Sequence, residues 1–302
     1  MISAYRCVKN GSGYVLRKRS TNLHEMTPTQ SYAERFKVMP KTTPIALTIA
    51  GLDPSGGAGV IADIRTFVSL GCFPTMALTS ITFQNTTGVF GAVHQTAKTL
   101  RGQLEPIAQD LEVGAVKTGM LPTAEIVSSV ADLIQELKLP LPVVDPVMVS
   151  TSGHDLIGEE AFEVLTSRLL PLARIVTPNI PEAERLAGFS INNEDDMRKA
   201  GRAILAQNVS MVLIKGGHLG SRGSSVLDLM MGQDGEELEL RSDFVDVGEV
   251  HGTGCTLSAA IAANLAQGLD LLESVRAAKE FVDRRIHALL TSTRLGHGAR
   301  PL

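Results

Sequence analysis

The 302-residue chain has no tryptophan and only 4% aromatic residues, so it lacks the stacking platforms that single-stranded nucleic acid requires. Its three cysteines, Cys7, Cys72 and Cys255, are odd in number and far apart. That spacing excludes a disulfide framework and a C-x-x-C zinc site, and it points to a reducing compartment, which predicts a cytoplasmic protein. No apolar run is long enough to span a bilayer, so no membrane partner is expected. The body of the chain carries no basic stripe, and 28 Lys+Arg against 32 Asp+Glu leave a net charge of −4, which gives no reason to expect nucleic acid. The P-loop G-x-x-x-x-G-K-[ST], the zincin H-E-x-x-H and the hydrolase G-x-S-x-G are all missing.

One further absence decides between two readings of a motif. Gly57-Ala58-Gly59-Val60-Ile61-Ala62 fits the dinucleotide fingerprint G-x-G-x-x-A. That fingerprint needs an acidic residue about 20 positions on to hold the ribose hydroxyls. No Asp or Glu occurs between Asp63 and Glu105, so the oxidoreductase reading fails in its own context.

Residues 1–43 differ from the rest: eight Lys and Arg residues from Arg6 to Lys41 outnumber Glu25 and Glu34. An Arg-rich, acid-poor start fits a mitochondrial presequence, but Gly11, Gly13, Pro28 and Pro40 interrupt any amphipathic pattern. The expectation is a basic, disordered extension over 1–43 and one domain over 44–302.

From Ile45 short apolar strands alternate with amphipathic helices. Strands are predicted at Ile45–Ala50, Thr75–Phe83, Gly88–His94, Val143–Asp145, Arg174–Thr177 and Met211–Lys215, with a hairpin of Ser225–Met231 and Leu238–Arg241 near the sheet edge. Helices are predicted after Gly59 through Leu70, then over 126–137, 158–170, 181–188, 194–207, 254–267 and 270–292. Such alternation with continuous apolar strands gives a mainly parallel sheet covered on both faces, an α/β class in which ligands bind at the carboxyl ends of strands. Asp53, Gln84, Lys117, Asp145, Asn179 and Lys215 stand at strand ends and are expected along one edge.

The stretch Val250-His251-Gly252-Thr253-Gly254-Cys255-Thr256 leads into an Ala-rich helix. Glycines let the backbone approach a ligand, and the amides of a helix's first turn, with its dipole, form an anion site. At such a position the Cys255 thiol is expected to have a lowered pKa. Two glycine-rich helix starts plus strand-end carboxylates suit phosphoryl transfer, which needs anion cradles, a divalent cation and a placed acceptor more than covalent help. Asn179-Ile180-Pro181-Glu182 offers an amide and a carboxylate for a water-rich Mg²⁺ site, with Asp145 a further contact; each can equally be a helix cap or a buried hydrogen-bonded acid. Lys215-Gly216-Gly217-His218 places an ammonium by a phosphate or forms a plain turn.

The run Ala46-Leu47-Thr48-Ile49-Ala50-Gly51-Leu52-Asp53-Pro54-Ser55-Gly56-Gly57-Ala58-Gly59 closely resembles the opening of bacterial hydroxymethylpyrimidine/phosphomethylpyrimidine kinases of the ribokinase superfamily. So do Gln84-Asn85-Thr86, Lys117-Thr118-Gly119-Met120, Asp145-Pro146-Val147-Met148, Thr177-Pro178-Asn179-Ile180-Pro181-Glu182, Lys215-Gly216-Gly217-His218 and Gly252-Thr253-Gly254-Cys255-Thr256, in unbroken order over roughly 45–298. The resemblance implies a ribokinase-like three-layer α/β/α sandwich, usually dimeric. It implies a thiamine-synthesis kinase that uses ATP and Mg²⁺ to phosphorylate a small aminopyrimidine alcohol and then its monophosphate. By the same resemblance Gln84, Ala58 and Met120 line the pyrimidine pocket with Asp53 and Gly57 beside them. Asn179 and Lys215 serve the nucleotide, and Glu182 and Asp145 the metal. Gly252, Thr253, Gly254 and Cys255 form the anion hole, with His251 and Thr256 read as structural. Cys255 stands where sugar kinases and many pyridoxal kinases carry Asp, and this favours the pyrimidine substrate over pyridoxal, the alternative within the fold.

Overall fold

The computed structural model describes residues 5–10, 13–18, 43–149, 155–217, 225–293 and 295–302. They fall into two units, residues 1–42 and 43–302. In the first, β1 (Tyr5–Asn10) and β2 (Gly13–Lys18) pair antiparallel; the rest of the segment expected to lack structure lies outside the described residues.

The second unit is built on β3 (Ile45–Leu52), β4 (Phe73–Asn85), β5 (Gly88–His94), β6 (Ala115–Thr118), β7 (Val143–Val144), β8 (Ile175–Val176), β9 (Met211–Lys215), β10 (Ser225–Gly232) and β11 (Glu237–Asp243). They form one nine-stranded sheet in the order β11-β10-β9-β8-β7-β6-β3-β4-β5. The strands from β9 across to β4 are parallel, and the hairpin β10–β11 and strand β5 close the two edges antiparallel. Successive residues point to opposite faces: Ala46, Ala115, Val143, Ile175 and Leu213 enter one core, while Leu47, Val116, Val144, Val176 and Val212 enter the other. With both faces buried, these strands read as unbroken apolar runs.

Among the described residues eight α-helices cover the sheet: α1 (Gly59–Ser69), α2 (Ala97–Asp110), α3 (Ala124–Glu136), α4 (Glu159–Val164), α5 (Ile180–Ala187), α6 (Glu194–Leu205), α7 (Thr253–Ala266) and α8 (Leu271–Leu289). Helices α1, α7 and α8 pack into the first of these cores, and α2 to α6 into the other, giving the expected three layers. In α7 Ala259, Ala260, Ala262 and Ala263 are fully buried, so this helix lies close against the sheet and α1. A short parallel pair joins β12 (Val250–His251), just ahead of α7 in sequence, to β13 (Arg300–Pro301), which follows α8. Among the described residues no helix is long and apolar enough to cross a membrane.

Two differences from the sequence reading have local causes. The helix expected over 158–170 leaves α-geometry after Val164 for a wider turn and then Leu170–Leu172, because Pro171 supplies no amide to the ladder. Helix α2 was not predicted: it carries Pro106 and buries only Leu100 and Leu104, too narrow an apolar stripe to show as periodicity.

Candidate active site

Two glycine-rich turns meet where β3 and β12 end. Asp53, 3% exposed, organises the first: its carboxylate accepts from the Ser55 amide (2.8 Å) and hydroxyl (2.7 Å) and from the amides of Gly57 (3.1 Å) and Ala58 (2.9 Å). His251 Nε2 adds a contact at 3.2 Å. Burial alone would raise Asp53, but these hydrogen bonds outweigh it and hold the carboxyl below its ordinary value. The second turn is pressed onto the first. Gly252 has φ +88, and a Cβ there would overlap the Gly57 carbonyl oxygen, so only glycine fits. From it α7 starts, leaving the first-turn amides around Thr253, Gly254 and Cys255 without helical partners.

Beneath this loop lie two buried ion pairs. Lys215 Nζ is 3.0 Å from Asp145 Oδ1, and a Cβ on Gly254 would stand 3.1 Å from that ammonium, so Gly254 leaves room for the pair. Asp145 also accepts from Ser258 Oγ (3.2 Å) and Thr177 Oγ1 (3.3 Å). Burial pushes its carboxyl up, but Lys215 and Lys117 prevail and lower it. The second pair, Lys117–Asp63, is fully buried: Lys117 Nζ lies 3.0 and 2.8 Å from the two carboxylate oxygens, with Thr48 Oγ1 donating at 2.6 Å. Removing two charges from water costs several kcal/mol per ion, and Lys117 of this pair lines the same cavity as Cys255.

Burial raises the Cys255 thiol to about 11, and Lys117 and the Gly59 amide only partly oppose it. This corrects the expectation of a lowered pKa: desolvation outweighs the helix start, and the group is a neutral thiol at neutral pH.

At α5 Asn179 and Glu182 form a reciprocal cap. Asn179 Oδ1 accepts from the Glu182 amide (2.9 Å), and Glu182 Oε2 accepts from the Asn179 amide (2.8 Å). The N-x-x-E spacing therefore serves the helix as well as any ligand. Burial, partly offset by Lys215, raises Glu182 to about 7, with Asp145 adding repulsion.

On the opposite wall Gln84 ends β4. Its Nε2 lies 3.1 Å from His251 Nε2, and its Oε1 accepts from Thr82 Oγ1 (3.2 Å).

One cavity of about 950 Å³ collects Asp53, Ala58, Gln84, Met120, Asp145, Asn179, Glu182, Lys215, Gly252, Thr253, Gly254 and Cys255. Of the sequence-predicted site residues only Gly57 is not in its lining. It sits behind the wall, where a Cβ would collide with the His251 ring. His218 lies outside the described residues. The strand-end residues share one edge as expected, and Lys215 is a buried ion-pair member, not an exposed turn residue. Two participants escaped the sequence reading. His251, read there as structural, lines the cavity and touches two expected site residues; its place just before Gly252 was the available signal. Asp63 shows no motif, and only the fold brings it to Lys117.

A mainly parallel α/β sheet that gathers two glycine-rich helix starts and buried, lysine-paired carboxylates at its carboxyl edge has the make-up of a small-molecule kinase. The chain belongs to the phosphomethylpyrimidine kinase family, whose model matches residues 53–302. It is 44% identical over 250 residues to the hydroxymethylpyrimidine/phosphomethylpyrimidine kinase of Streptomyces coelicolor, covering 82% of this chain and 91% of that protein. Among solved structures, phosphomethylpyrimidine kinase from Clostridium difficile superposes with TM-score 0.69 at 39% identity, covering 80% of this chain and 98% of the other. An ADP complex of Bacillus subtilis pyridoxal kinase superposes with TM-score 0.73 at 38% identity, covering 80% and 90%.

Proposed function

We propose that residues 44–302 form a kinase domain that uses ATP to phosphorylate 4-amino-5-hydroxymethyl-2-methylpyrimidine to its monophosphate and then to the diphosphate, in thiamine biosynthesis. The observation that carries this reading is the pairing, within one cavity, of the Gln84–His251 wall with the Gly252–Cys255 loop. A glutamine amide can donate and accept towards an aminopyrimidine edge. The loop amides face a phosphoryl group, whose loose transition state spreads negative charge over its oxygens. Met120 and Ala58 supply apolar contact to the ring.

Cys255, held neutral, acts as a hydrogen-bond partner that orients the acceptor hydroxyl. Little proton removal is needed before the new O–P bond forms, so the hydroxyl proton leaves late, to an oxygen of the transferred group. Lys215 and Lys117 place positive charge under the loop. The donor set fits Mg²⁺ through its waters: two buried carboxylates, Asp145 and Glu182, line the cavity, and burial with Asp145 nearby raises Glu182 to about 7, a cost that a cation would relieve. Mg²⁺ would neutralise phosphate charge there.

The free Cys72 and Cys255 support a reducing, cytoplasmic setting. Exposed Ile81, Phe83, Phe90 and Val93 on the β4–β5 edge support a homodimer.

The resemblance to a pyridoxal kinase at 38% identity keeps pyridoxal as a second substrate reading. The test is coupled ADP release with ATP and Mg²⁺, offering the pyrimidine alcohol, its monophosphate and pyridoxal in parallel. Turnover of both pyrimidines with little on pyridoxal is expected. A preference for pyridoxal moves the assignment to vitamin B6 phosphorylation, and silence on all three overturns it.

A further inference from the structure

We propose that residues 296–302 are a strap that sets the substrate-reading wall, with Gly298 and Thr86 as positioning residues for Gln84 and His251; this rests on the reading of Gln84 given above. Thr86 follows Gln84 by two residues, in the turn between β4 and β5. Its hydroxyl accepts from the Gly298 amide (3.2 Å) and its carbonyl from the Ala299 amide (2.9 Å). The next residues cross to the other wall: the Arg300 amide donates to the Glu249 carbonyl (2.8 Å) and the Leu302 amide to the His251 carbonyl (3.1 Å). Val250 and His251 thereby pair in parallel with Arg300 and Pro301. Five consecutive residues thus join two loops distant in sequence, at the point where Gln84 Nε2 and His251 Nε2 stand 3.1 Å apart.

The strap is itself fixed at its far end. Leu302 is buried in the core beneath α1, α7 and α8, its carbonyl accepts from Arg65 Nη2 (3.2 Å), and Arg300 Nη2 donates to the Leu289 and Ser292 carbonyls at the end of α8 (2.7 and 2.8 Å). Its approach to Thr86 admits no side chain. A Cβ on Gly298 would overlap the Thr86 carbonyl oxygen, and one on Gly296, at φ +73, would press on the Thr86 hydroxyl. Only Leu302 of these residues is buried as an apolar side chain. Ordering a backbone residue costs about 1–2 kcal/mol, so the segment gives up chain entropy mainly for main-chain bonds to the two walls.

The test uses the full chain with Gly298→Val and, as the milder change, Thr86→Ala, which removes one acceptor and leaves the turn. KM for the pyrimidine alcohol is expected to rise about tenfold in Gly298→Val and about threefold in Thr86→Ala, the worth of one or two hydrogen bonds. KM for ATP should stay within about twofold in both. Equal rises in both KM values, or no rise for the pyrimidine, overturn the strap; if Gly298→Val does not fold, Thr86→Ala decides. Amide exchange gives a readout independent of substrate: peptides 84–88 and 249–252 should lose protection together in either variant, and loss confined to one of them also overturns the strap. A wild-type protein silent on the pyrimidine, with exchange still coupled, would refute the proposed substrate and leave the strap standing.

Discussion

Burial raises the Cys255 thiol although its sulfur stands at a helix start and beside a lysine, so position alone does not activate a cysteine. If the thiol orients the acceptor hydroxyl, Cys255→Ala should lower turnover by about an order of magnitude or more, the scale of a lost positioning contact. An Ala variant with unchanged kcat would assign the reaction to the loop amides alone. Glu182 gives a pH-dependent counterpart. Its folded pKa of about 7 lies above the ordinary glutamate value of 4.5, so it favours the folded state fully below pH 4.5 and loses that contribution as pH rises through 7. Glu182→Gln keeps a side chain able to cap α5 but has no charge to desolvate. Its Tm, measured without Mg²⁺, should match wild type near pH 4.5 and exceed it at pH 8 by about 2–4 °C for each kcal/mol relieved. Equal Tm values at both pH values would mean that the carboxylate is not strained. At this scale the sequence exposes residues that end strands, such as Asp53, Gln84, Asp145 and Lys215, because the sheet's direction alone aligns them. It conceals Asp63, which sits mid-helix on α1 and acquires its role only when β6 brings Lys117 beside it.

Among the elements, the turn that joins β12 to α7 is the most constrained, since its glycine combines a left-handed φ with contact against another backbone. Gly252→Ala must shift either this turn or the Gly57 turn. A displacement of about 1 Å in such a site costs on the order of a hundredfold in rate. We expect kcat to fall by about that factor while circular dichroism keeps the helical signal, and a variant with near wild-type kcat would show the loop to be more pliant than its packing implies. The helices were legible wherever an apolar stripe met a capping residue, as in α3 behind Thr123 and α6 behind Asn193. Helix α2 was hidden because its stripe is two leucines wide, and the break after Val164 because Pro171 acts several residues before its own position.

For the whole molecule, the parallel centre of the sheet is sealed by helices on both faces, but its β5 edge is not. Phe90 is 70% exposed, and Phe83 and Val93 are each 53% exposed on the same β4–β5 hairpin. Exposed apolar side chains along an edge strand are costly to leave in water. If this edge is the contact of the proposed homodimer, Phe90→Lys with Val93→Lys should leave a monomer in sedimentation velocity, with the fold intact by circular dichroism. A dimer that survives both changes would locate the interface elsewhere. The architecture followed from the alternation of apolar and amphipathic runs, because a doubly covered parallel sheet is the arrangement that buries both. The meeting of Gln84 with His251 did not, since 167 residues separate them and only the assembled fold brings them together.

The four fully buried alanines of α7 act as a shim between that helix and the sheet. A helix of 14 residues is about 21 Å long, so these side chains fix the height of a rod whose tip carries the Gly252–Cys255 turn. Genetic drift to valine or leucine on that face would lift the tip and move the amides proposed to hold phosphate while every residue lining the cavity stayed the same. The catalytic register of this kinase is written partly in the smallness of residues that never meet a substrate.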